Sequence, residues 1–177
     1  SYYGLRNNHY LSIRYYMDAL RSYEKLHDNS SIGQLYTGIS KYYQQSGQRE
    51  QALHYTNKAM DTGARLRNDS IYGLILIHYA GINMADTAQR DSVQWALLTA
   101  RNIFRQHADT AATLQLDLLD IRQLLYKKDT AAAEQQLLSV ISRASLNGYY
   151  YAAMNASLLM AGTRAARDRR PPRTRRP

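Results

Sequence analysis

Five histidines, three glutamates and eleven aspartates are the side chains here that could ligate a metal ion or move a proton, and no cysteine joins them. Without cysteine there is no thiolate nucleophile, no Cys-ligated zinc and no disulfide framework, and redox chemistry says nothing of the compartment. A metal site needs ligands at regular spacing. His9, His27, His54, His78 and His107 each occur singly, with no second His at i+4 and no His-Glu-x-x-His, so each reads as a surface or packed histidine. Glu24, Glu50 and Glu134 fall in different stretches of the chain, so no paired-carboxylate acid–base site is expected. No Gly-x-x-x-x-Gly-Lys-Ser/Thr loop and no Gly-x-Ser-x-Gly elbow occurs, and the expectation is a protein that is not an enzyme and uses no metal or cofactor.

The charge is local. Of the formal +9, residues 164–177 hold seven arginines against one aspartate, or +6, leaving +3 for the other 163 residues. That run invites a phosphate backbone or an anionic membrane face; it also reads as a short unstructured terminus or a truncated or frame-shifted end, and its Arg/Pro content predicts disorder over 163–177. No apolar run reaches the roughly 18 residues needed to cross a bilayer. The chain begins at Ser1 without a charged-then-apolar leader, so it reads as a fragment.

The elements that carry these residues are expected to be helices. All three prolines lie at 171, 172 and 177, so nothing upstream carries the side chain that helix interiors reject by about 3 kcal/mol. Valine occurs only at 93 and 140, while Ala, Leu, Gln and Arg abound, as suits helices. Capping residues ahead of periodic apolar stretches predict helices at 9–27, 30–45, 49–66, 69–84, 91–107, 110–127, 130–145 and 148–162, after a lead-in over 1–8. Between them lie short connections, among them Ser46-Gly-Gln, Lys127-Lys-Asp and Leu146-Asn-Gly, which make neighbouring helices antiparallel.

A repeat underlies this series. Ser12, Ala52, Val93 and Ala133 are separated by 40, 41 and 40 residues, and Ala19, Ala59, Ala100 and Val140 by the same intervals. The two members of each pair are seven apart, two helical turns, so both lie on one face of every second helix, where small side chains permit close packing. The grouping is 9–27 (a second helix alone), 30–66, 69–107, 110–145 and 148–162 (a first helix alone).

In the second unit, Tyr36, Ile39, Ser40, Tyr43, Gly47, Ala52 and Ala59 stand where the tetratricopeptide repeat has its first large aromatic, its Leu-Gly, its Tyr, its interhelix turn and its two small second-helix positions. The stretch 9–162 resembles that family, with departures: a period of 40–41 rather than 34, no closing prolines, Thr56 in place of an aromatic, and Arg122 at a Gly position. The longer period is similar to divergent repeats of bacterial signalling proteins. The resemblance implies an all-α, right-handed helical-hairpin solenoid of about eight antiparallel helices. It further implies a concave groove that holds a peptide or partner protein, and a place on the cytoplasmic or periplasmic side of a larger regulatory protein. Groove positions carried over by register are Gln34, Thr37, Lys41, Gln44 and Gln45, then His78, Tyr79 and Ile82, then Leu119, Gln123 and Tyr126. Nucleic-acid binding through the basic tail or the helical surface is the alternative.

Sixteen tyrosines stand against one Phe and one Trp. Tyr15, Tyr16, Tyr36, Tyr43 and Tyr55 read as packing aromatics, and Trp95 as packing or a partner contact. Tyr149, Tyr150 and Tyr151 cannot all face inward, since consecutive helical residues turn by about 100°. Because the stretch after Gly162 is basic and broken by proline, no polar capping helix is expected. Apolar residues among Tyr150, Ala153, Met154, Leu158 and Met160 are then left exposed, with self-association through that end as the consequence.

Overall fold

A computed structural model describes residues 2–66 and 69–168, with side chains placed for 13–66 and 70–166. Among these residues the chain is all-helical: eight α-helices, one 3₁₀ turn and no strand. The described residues divide into two compact units, one up to residue 108 and one from residue 109, where the repeat reading draws a single domain over 9–162.

The first unit contains α1 (Tyr2–Lys25), α2 (Asn29–Gln45), α3 (Arg49–Gly63), α4 (Asp69–Asn83), a 3₁₀ turn (Thr87–Gln89) and α5 (Arg90–Gln106). Each helix packs on the next, and α2 also touches α4. The core is built where the small-residue ladder runs: Ala52, Ala59 and Ala100 are fully buried and Val93 nearly so. Ala19 is half-buried, and the side chain of Ser12 lies outside the described residues. Between α4 and α5 the approach is closest at Gly73, where an added Cβ would lie 2.6 Å from Cζ of Phe104, itself almost completely buried.

The second unit is α6 (Thr110–Tyr126), α7 (Thr130–Leu146) and α8 (Tyr150–Asp168), with all three pairs in contact. Leu114, Ile121, Ala133, Leu137, Val140, Ala144, Ala156 and Met160 form its core.

One local device recurs at the connections. The middle residue of each three-residue connection at 26–28, 46–48, 107–109, 127–129 and 147–149 has a left-handed backbone: His27 (φ 53°), Gly47 (73°), Ala108 (51°), Lys128 (63°) and Gly148 (74°). In three of the five an aspartate follows and caps the next helix, with Asp28 accepting from Ser31 N, Asp109 from Ala112 N and Asp129 from Ala132 N. Left-handed closure ends one helix and the Asx oxygen satisfies an unpaired amide of the next.

Two boundaries differ from the sequence reading. Helix α1 begins at Tyr2, taking in residues 2–8 of the expected lead-in: Gly4 and the asparagines weaken a helix by at most about 1 kcal/mol each and no proline forbids it. Helix α8 does not stop at 162 but runs to Asp168, because Thr163-Arg-Ala-Ala-Arg-Asp contains no breaker ahead of Pro171. The expected disorder over 163–177 therefore fails for 163–168; the rest of that stretch lies outside the described residues.

Candidate functional site

The eleven groove positions are treated unequally by the fold. On α2, Gln34, Lys41, Gln44 and Gln45 are exposed on the surface. Thr37 is buried and its hydroxyl donates to the Gly33 carbonyl at 3.0 Å, so it belongs to the interior of the unit rather than to a groove. On α4, Tyr79 is half-buried, with its hydroxyl donating to Gln89 Oε1 at 3.3 Å, while His78 and Ile82 are buried. On α6 of the second unit, Tyr126 is exposed, Gln123 half-buried and Leu119 buried. Thr37, His78, Ile82 and Leu119 are thus corrected from surface to interior: the register marks the helix side facing a first-helix neighbour, and here that side is covered at these four positions.

His78 is the informative correction. It is 8% exposed, and its Nε2 lies 2.8 Å from Ser40 Oγ and 3.4 Å from Thr56 Oγ1. The two hydroxyls are 2.7 Å apart, and each lies 2.8 Å from the Ala52 carbonyl oxygen. Three helices meet in this network, α2 through Ser40, α3 through Thr56 and Ala52, and α4 through His78. Burial, with the Lys41 ammonium adding to it, lowers the His78 pKa to about 4, so the imidazole is neutral at pH 7. A serine hydroxyl beside a neutral imidazole has the atoms of a nucleophile–base pair. Ser40, however, is fully buried and its hydroxyl is engaged with Ala52, Thr56 and His78, leaving no approach for a substrate. As arranged, the three side chains lock α2, α3 and α4 together, and among the described residues no buried side-chain polar atom is left unpaired.

Sequence reasoning missed the network although half its signal was present. Ser40 stands at a small core position and Thr56 where an aromatic was expected, so two hydroxyls face one interior and need partners. The third member, His78, lies 22 residues beyond Thr56 and carries no local signal that ties it to them; the register places it in the groove.

Beside the network the tyrosines form a partly open cluster. Tyr43 stacks on Tyr55 (centroids 5.6 Å, planes 13° apart), Tyr36 lies 6.1 Å from Tyr55, and Lys58 Nζ sits over both Tyr36 and Tyr55 at 5.6 and 5.4 Å. Burial raises the phenol pKa of Tyr36 and Tyr55. These rings are half-buried, and Tyr16 packs where a Cβ on Gly38 would be 2.9 Å from its ring. Tyr15 is corrected from core to surface, being 70% exposed. Trp95, Tyr150 and Tyr151 are exposed as well, while Tyr149 packs on the second unit's core.

Among the described residues no three His, Asp or Glu side chains gather into a metal-holding cluster, and no helix is long and apolar enough to cross a membrane. Comparison with protein-family models, curated proteins and solved structures finds no match to this chain.

Proposed function

We propose that the chain is a non-catalytic interaction or sensing module of the tetratricopeptide-like kind, a right-handed helical-hairpin solenoid that holds a peptide or partner protein and serves a larger regulatory or signal-transduction protein. One observation carries this reading. Helix α2 is held by α1, α3 and α4, yet it keeps Gln34, Lys41, Gln44 and Gln45 exposed. Glutamine amides both donate and accept, which matches the N–H and C=O of an extended peptide, and Lys41 adds a preference for an acidic side chain.

The test is selection of peptides from a random display library against the whole chain, followed by calorimetric titration of the best binder. Lys41→Glu combined with Gln44→Ala is expected to weaken binding about tenfold or more, with the melting temperature unchanged. Failure to select any peptide, or equal binding by the double variant, would overturn the reading.

The alternative, nucleic-acid binding, is favoured by the seven arginines of 164–177. It requires that oligonucleotide binding fall steeply with salt and disappear when residues 164–177 are deleted.

A further inference from the structure

Helix α8 buries one side in the second unit through Ala156, Met160 and Thr163. Its opposite side holds Tyr151 (74% exposed), Met154 (50%) and Leu158 (64%), continuing into Gly162 and Ala165, both exposed. At 100° per residue these five positions lie within about 40° of Leu158 around the helix, so they make one straight stripe about 21 Å long. The stripe is bulky in its N-terminal half and nearly bare in its C-terminal half. A Cβ built on Gly162 meets nothing within 4 Å. Beside it lies a groove of about 360 Å³ lined by Leu125, Thr130, Leu158, Leu159, Gly162 and Thr163, among others.

We propose that this stripe is an isologous interface with a second copy of the same chain, the two α8 helices packing antiparallel about a two-fold axis at Leu158. Size complementarity decides the occupant. A two-fold at position 158 sets Tyr151 against Ala165, Met154 against Gly162 and Leu158 against its own mate. Tyr151 and Met154 then each meet a small residue, which lets the helices approach closely enough for the two Leu158 side chains to touch at the axis. Charge agrees with this orientation: in an antiparallel pair the two Arg164 positions stand 12 residues apart along the axis, about 18 Å, beyond the roughly 8 Å over which salt leaves charges to repel. A parallel pair would bring the arginine-rich ends together and set Tyr151 on Tyr151. One helix face is small for an interface, so the dimer is weak, with a Kd on the order of 10 µM. This inference concerns a different face from the α2 row and does not depend on the peptide-binding reading.

Sedimentation equilibrium of the intact chain tests it, together with two further measurements. The chain has no native cysteine, so Leu158→Cys is expected to cross-link into a disulfide dimer under mild oxidation, while Ser142→Cys on α7 is not. Gly162→Met is expected to weaken the dimer about tenfold or more without loss of helicity, because its side chain enters open space in the monomer. Adding Met154→Ala, which exchanges the large and small positions, is expected to restore the affinity to within about threefold. A wild-type chain that is monomeric at several hundred micromolar, or a Gly162→Met variant that dimerises as well as wild type, overturns the proposal. So does cross-linking that is no faster at position 158 than at position 142.

Discussion

The Nε2 atom of His78 lies 2.8 Å from Oγ of Ser40, a residue 38 positions earlier, and the hydroxyl of Thr56 completes the contact from a third helix. A polar group at the centre of a small unit ties the stability of that unit to the protonation of one imidazole.

Stability is therefore expected to depend on pH through His78. Its folded pKa is depressed to about 4 from 6.5, so between these values the unfolded chain binds the extra proton and stability rises with pH. The contribution is complete above about pH 6.5 and is lost as pH falls toward 4, amounting to about 3 kcal/mol. Urea unfolding at pH 7 and at pH 4.5 measures it. His78→Gln should flatten the wild-type difference; an unchanged difference would assign the effect to other groups.

Removing one hydroxyl should cost more than a lone side chain is worth. Thr56→Val and Ser40→Ala are each expected to destabilise by about 1–3 kcal/mol, because partners in the buried network are left unsatisfied. The double variant should lose less than the sum, since either single change already breaks the cluster. Strict additivity in denaturant melts would show that the hydroxyls act independently.

The contact at Gly73 predicts a sharp steric response. Gly73→Ala places a methyl 2.6 Å from the Phe104 ring and is expected to cost about 1–3 kcal/mol despite the better helix propensity of alanine. Ala59→Leu and Ala100→Leu, at fully buried ladder positions, are expected to cost a similar amount. Wild-type melting temperatures would refute the close approach.

The left-handed connections can be tested in both directions. Lys128→Gly relieves a φ of 63° that a side chain adopts only at a cost, and should stabilise by about 0.5–1 kcal/mol. Gly47→Ala, at φ 73°, should destabilise by a similar amount although no atom lies near its Cβ. Thermal melts of the two variants moving in the same direction would contradict the shared geometry.

Much of this arrangement was legible in the chain. The absence of proline before 171 and the capping residues predict all eight helices, and the 40-41-40 ladder picks out Ala52, Ala59, Val93, Ala100, Ala133 and Val140, all of which are buried. Such features are local or periodic, so a single sequence displays them. The limits of α1 and α8 differ from the sequence reading, which starts the first helix at 9 and ends the last at 162, because neither 2–8 nor 163–168 contains a proline to break the helix. Thr37, His78, Ile82 and Leu119 were misplaced because a register states which way a residue points along its own helix. It does not state what covers that side.

The sequence by itself determined the all-helical content, the approximate hairpin boundaries and the small residues along which helices approach, since backbone propensity, capping and helical period act over a few turns. Only the tertiary structure decided that Ser40, Thr56 and His78 share one buried network and that Tyr15 stands in solvent. It also decided that the outer stripe of α8, from Tyr151 to Ala165, stays uncovered among the described residues. Burial is a property of convergence between helices distant in sequence, and the hydrogen bonds and pKa shifts that follow from it exist only once those helices meet.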